Sequence, residues 1–173
     1  LVALFTSGCV PVSEPLGDID KAEPDKALVG KWTVTKSAGL SAQLDVTKLA
    51  LDAPAVKGNP KGLMRAVKNG ETDSELWFFT TTLGKHTYAT VLVESGGDSD
   101  EPKLGKEGEY AKWVKADKKR YFVFRYALDG DKLTLDAANY EKFKEAAKAA
   151  NLADDGSKHF AYYSTPAEWL AKY

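Results

Sequence analysis

Apolar and polar residues alternate with a period of two over most of the chain between residues 30 and 136. Trp32 and Val34 alternate with Thr33 and Thr35; Leu76, Phe78 and Thr80 with Trp77 and Phe79; Tyr88, Thr90 and Leu92 with Ala89, Val91 and Val93; and Phe122, Phe124 and Tyr126 with Tyr121, Val123 and Arg125. A strand sends successive side chains to opposite faces, so this period predicts strands. Between the runs fall Asn69-Gly70, Leu83-Gly84-Lys85, Gly96-Gly97, Asp117-Lys118-Lys119 and Asp129-Gly130. Asn-Gly and Asp-Gly reach the positive φ angles that tight hairpins need, so consecutive strands are expected as antiparallel neighbours. From Leu40 to Lys68 the periodicity is mixed and broken by Pro54, Gly58, Pro60 and Gly62, which predicts one or two short strands. Ahead of the first strand, Pro24 to Val29 reads as a single helical turn with Pro24 at its first position and Gly30 ending it.

After Asp136 the period lengthens. Asn139 can cap a helix through Phe143, Ala146, Ala147 and Ala150, stopped by Asn151 or Gly156. A last strand over His159–Tyr163 leads to Thr165-Pro166-Ala167-Glu168, a capping box that opens a terminal helix from Pro166 to Lys172. The expected fold is mainly β: an antiparallel up-and-down meander closing into a barrel or half-open barrel, with one helix near the C-terminus and a short terminal helix.

The N-terminal octet is apolar, and Leu4-Phe5-Thr6-Ser7-Gly8-Cys9 resembles a lipobox. Small residues at Ser7 and Gly8 suit a signal peptidase that must approach the backbone closely, and the Cys9 thiol is then the nucleophile that takes a diacylglycerol. Residues 1–8 are expected to be the tail of a signal peptide. Residues 9–26, rich in Pro, Asp, Glu and Lys, are expected to form an extended lipid-anchored tether that holds the domain off the bilayer. Residues 27–173 would form the β domain. The expected location is the bacterial cell envelope, on the periplasmic or outer face of a membrane held through acyl chains on Cys9.

Lysine and arginine total 24 against 25 aspartates and glutamates, a net charge of −1. That balance offers neither the basic field nucleic acid demands nor a polybasic membrane patch. Nothing after Cys9 approaches the roughly twenty apolar residues of a spanning helix, and the single cysteine has no disulfide partner. His86 and His159 lack the further ligands of a zinc site, and the carboxylates of residues 96–101 lack calcium-loop spacing. With no nucleophile elbow, phosphate loop or dinucleotide fingerprint, the sequence offers no metal site, cofactor or catalytic residue, and the reading is a non-enzymatic protein.

Gly30-Lys31-Trp32, placed after a one-turn helix at the start of the first strand and followed by a meander, a helix and a final strand, resembles the lipocalin or calycin plan. The resemblance implies that Gly30 and Trp32 form a structural motif, with Trp32 buried at the barrel bottom. The C-terminal Thr165-Pro166-x-Glu168-x-Leu170 segment, with the aromatic strand before Asp129-Gly130, is also similar to a family of uncharacterised bacterial lipoproteins.

The strands are unusually aromatic, and a small barrel either fills with such groups or leaves a pocket lined by them. In the first reading, Trp77, Tyr88 and Arg125 line a site for a small apolar or amphipathic ligand, the rings giving affinity and the guanidinium clamping a carboxylate. In the alternative, Phe122, Phe124 and Tyr126 face inward, Arg125 faces outward, the core is closed, and the outer surface docks onto another envelope protein. The sequence leaves both open.

Overall fold

The structure is a computed structural model that describes residues 11–12, 14–36, 47–68, 75–94, 104–115 and 119–137. The expected helix from Asn139, the strand His159–Tyr163, the terminal helix and Cys9 lie outside the described residues. So do the Asn69-Gly70, Gly96-Gly97 and Asp117-Lys118 turns. The described elements are β1 (Pro11–Val12), a 3-10 turn (Lys26–Leu28), β2 (Gly30–Lys36), β3 (Thr47–Asp52), β4 (Met64–Lys68), β5 (Glu75–Leu83), β6 (His86–Glu94), α1 (Glu109–Lys115), β7 (Lys119–Asp129) and β8 (Lys132–Ala137).

β2 to β8 form a closed seven-strand barrel, compatible with a lipocalin-like barrel. Each strand from β2 to β8 pairs antiparallel with the next, and β8 returns to pair with β2 in parallel. That closure follows from parity. In a meander of alternating directions, an odd number of strands brings the first and last together pointing the same way. The β5–β6 and β7–β8 hairpins turn at Gly84 and Gly130, with φ of +61° and +60°, as the sequence signals required.

Cross-strand partners share a face, so the register sorts the side chains. Trp32↔Leu49, Met64↔Phe78, Phe78↔Val91, Ala89↔Phe124 and Tyr126↔Leu135 all point inward. The interior cluster joins Leu28, Leu49, Leu51, Met64, Ala66, Phe78, Ala89, Val91, Phe124, Tyr126 and Leu133, with Trp32 and Phe122 packed against it. A barrel of about eight strands is just wide enough for side chains to fill it, and seven strands carrying Phe78, Phe124, Tyr126 and Met64 fill this one.

The outer wall bears a second core. Trp77, Phe79, Leu92 and Tyr121 point outward and are covered by α1, through Tyr110 and Trp113, and by Val12, Leu63 and Leu104. Trp113 thus lies on the helix α1. Its signal was Tyr110 and Trp113 at i,i+3, beside the i,i+3 pair Glu109–Lys112.

The expected tether also differs in the structure. From Pro11 onward it packs as a strap: β1 adds to β7 at Tyr121 and Phe122, Val12 and Leu16 are buried, and Ile19 and Ala22 pack on the outer core. Scattered apolar residues in a polar segment suffice here because each meets an aromatic wall already built by the sheet. At the barrel end the strap becomes the 3-10 turn, whose Leu28 enters the interior. Asp25, not Pro24, opens that turn by accepting the Ala27 N–H at 2.9 Å, and Val29 ends it. Trp32 faces inward but is half-buried, its indole Nε1 donating to the Leu28 carbonyl at 2.6 Å. It ties the turn to the wall as well as filling space.

Candidate functional site

Register places the three expected ligand-lining residues on the outer wall. Trp77 is 1% exposed but belongs to the outer core, its Nε1 donating to Glu75 at 3.0 Å. Tyr88, opposite Arg125 across the β6–β7 pair, is buried on the outward face with its ring edge to His86. Arg125 is exposed and gives two hydrogen bonds to Asp136, at 2.8 and 3.1 Å, on the neighbouring strand. None of the three meets the interior. Phe124 and Tyr126 instead occupy it, with Phe122 half-buried against them.

Among the described residues, the fold builds a groove of about 450 Å³ where the strap crosses the barrel mouth. It is lined by Asp18, Lys21, Ala22, Glu23, Asp25, Thr80, Thr81, Thr82 and Tyr126. Asp25 does two jobs there: one carboxylate oxygen caps the 3-10 turn, and the other accepts the Tyr126 hydroxyl at 2.7 Å. Burial, and then this bond, push the Tyr126 pKa well above the usual phenol range. Thr81 Oγ1 donates to the Leu16 carbonyl at 2.9 Å and the fully buried Thr90 reaches the same oxygen at 3.4 Å. The strap's backbone thus satisfies a polar group that the outer core would otherwise strand. The Lys21 ammonium and the Asp20 N–H hold the Asp18 carboxyl below the usual carboxylate range.

Two glycines let the strap lie this close. A side chain at Gly62 would run into the Ala22 backbone, and one at Gly17, where φ is +95°, into the Thr81 side chain. Nothing in the period-two pattern marked Gly17 or Asp25, because their role depends on a barrel wall distant in sequence.

A further polar cluster sits on the outer wall. Arg65 grips Asp52 through two bonds of 2.7 and 3.0 Å, reaches Glu75 at 3.4 Å, and lies 6.0 Å from the centre of the Trp77 ring. The Asp52 carboxylate makes the guanidinium more basic than usual. These groups saturate one another across β3, β4 and β5, which suits bracing of the sheet. Among the described residues, no three of His, Cys, Asp and Glu gather as a metal ion requires, and no helix is long and apolar enough to cross a membrane. Compared with known proteins, the chain matches no family model, no curated protein and no solved structure.

Proposed function

We propose that this protein is a lipid-anchored, non-enzymatic module of the bacterial envelope, lipocalin-like in architecture but closed in its core, that works by docking another envelope protein on its surface. The observation that carries this reading is the exchange of roles between the faces. Phe78, Phe124, Tyr126 and Met64 fill the interior, while Trp77, Tyr88 and Arg125, the groups a carrier would need inside, stand on the outer wall. The docking surface in this reading is the strap end of the barrel, where Val29 is 49% exposed beside a groove bearing carboxylates and hydroxyls. The groove's carboxylates and hydroxyls are hydrogen-bonding groups of the kind that make up the polar rim of a protein contact.

A fluorescent fatty acid titrated into the chain tests the closed core: no saturable binding is expected, and saturation at one probe per chain would restore the carrier reading. A photo-crosslinking residue at Val29 tests docking, with one discrete adduct expected in cells and a smear or none counting against it. The anchor is tested by Cys9→Ser behind a complete signal peptide, which should abolish fatty-acid incorporation and leave the chain in the aqueous phase.

A further inference from the structure

The groove at the barrel mouth offers acceptors and almost no donors. Three of its hydroxyls spend their hydrogen on the strap: Tyr126 donates to the Asp25 carboxylate at 2.7 Å, Thr81 to the Leu16 carbonyl at 2.9 Å and Thr80 to the Glu23 carbonyl at 3.5 Å. A hydroxyl has one hydrogen and two lone pairs, so each has only lone pairs left for anything that enters. Ionised carboxylates accept only. Asp18, Glu23 and Asp25 line the groove against one ammonium, Lys21, which is already bound to Asp18 at 2.9 Å. Asp20, Lys26 and Lys85 flank it in sequence without lining it, and still leave the sum of charge negative.

Most of these groups are spoken for within the fold. Asp25 holds the 3-10 turn and Tyr126, and Asp18 holds Lys21. Among the described residues, the exposed Glu23 carboxylate and the exposed Thr82 hydroxyl have no partner. The space beside them is about 450 Å³, the liquid volume of roughly fifteen water molecules, which is far more than a lone ammonium fills. A free carboxylate in a wide acceptor-lined groove suits a planar fork of donors, because a guanidinium gives a carboxylate two parallel bonds and keeps N–H groups for neighbouring hydroxyls.

We infer that this groove receives an arginine side chain of the docking partner, with the guanidinium forked on Glu23 and its remaining N–H groups directed at the oxygens of Thr80 and Thr82. The inference rests on the docking reading above and adds the chemistry of the partner's contact to it. Lys21 is then a built-in competitor, a cation of the chain itself that already occupies one of the three carboxylates.

The isotopically labelled full chain is titrated with blocked tripeptides, acetyl-Gly-X-Gly-amide, in which X is arginine, lysine or citrulline, the last keeping arginine's shape without its charge. The arginine peptide should bind saturably and move the amides of residues 18–25 and 80–82. Lysine should bind several-fold more weakly, and citrulline at least tenfold. Glu23→Gln should lower arginine affinity about tenfold, the low end for a hydrogen bond to a charged group. Lys21→Gln, which frees Asp18, should raise it several-fold. Shifts scattered over the surface, citrulline binding as well as arginine, or either variant binding like wild type would overturn the inference. A discrete Val29 adduct without arginine binding would overturn it alone, whereas arginine binding in the groove with no Val29 adduct would sink the docking reading and leave the arginine site in place.

Discussion

The barrel interior and the outer aromatic core contain the same kinds of side chain but are closed by different means. The interior is enclosed by seven strands hydrogen-bonded into a ring, so no part of it can open without breaking a ladder. The outer core has one wall of sheet and one of strap and helix, held by the two-residue β1, the Leu16 carbonyl, the Asp25–Tyr126 bond and the seven-residue α1. A cover with so few backbone bonds belongs to the low end of local opening free energies. The comparison teaches that burial alone does not rank stability: Met64 and Val12 are both 0% exposed, yet Met64 is enclosed by the ring while Val12 belongs to the strap.

The largest expected effect lies in the ring. Phe124→Ala leaves a cavity among Phe78, Ala89 and Tyr126 and should lower global stability by about 3–5 kcal/mol in a denaturant melt, with the whole sheet unfolding together. A loss below about 1 kcal/mol would mean that the interior is not the closed core described here.

Next comes the strap. Gly62→Ala drives a methyl group into the Ala22 backbone and should cost about 1–3 kcal/mol. Hydrogen exchange should accelerate over residues 14–25 while the amides of β5, β6 and β7 keep their protection. Uniform acceleration across both would dissolve the distinction between the two cores.

Alkali probes the same boundary. Burial pushes Tyr110 and Tyr121, both in the outer core, up to about 12, the charges of Asp20 and Asp18 adding to the effect at Tyr110. An unfolded tyrosine ionises near 10. These groups therefore stabilise the fold fully below pH about 10, and their contribution is lost as pH rises through about 12. Tyrosine absorbance should show the outer core ionising and opening above pH about 10, and Tyr121→Phe should shift that transition upward.

The smallest effect is expected at Arg125. Its two bonds to Asp136 lie on the exposed wall, so Arg125→Ala should cost less than about 1 kcal/mol and leave apolar-probe fluorescence unchanged. A marked change in probe binding would bring Arg125 back as a ligand clamp.

The two cores also differ in how far the sequence revealed them. Period two identified β2, β5, β6 and β7, and Gly84 and Asp129-Gly130 identified two hairpins, because strand alternation and turn chemistry are local properties. The short strands β3 and β4 were legible only as one or two short strands in a stretch broken by prolines and glycines. Within β7, the period also separated Phe122, Phe124 and Tyr126 from Arg125 as two faces.

Which face lies inside is a different question, and alternation is silent on it. Trp77 and Phe78 are equally apolar neighbours, yet Phe78 fills the ring and Trp77 waits under the strap, a choice made by closure of β8 on β2. Likewise the polar run after Cys9 has the composition of a tether. It becomes a strap because an aromatic wall, folded from residues 60 to 110 positions away, offers Val12 and Leu16 somewhere to go. The sequence by itself determined the strands, their turns and their two faces, since these follow from backbone geometry over a few residues. Only the tertiary structure decided inside from outside and free chain from bound, since these depend on contacts that exist once the ring has closed.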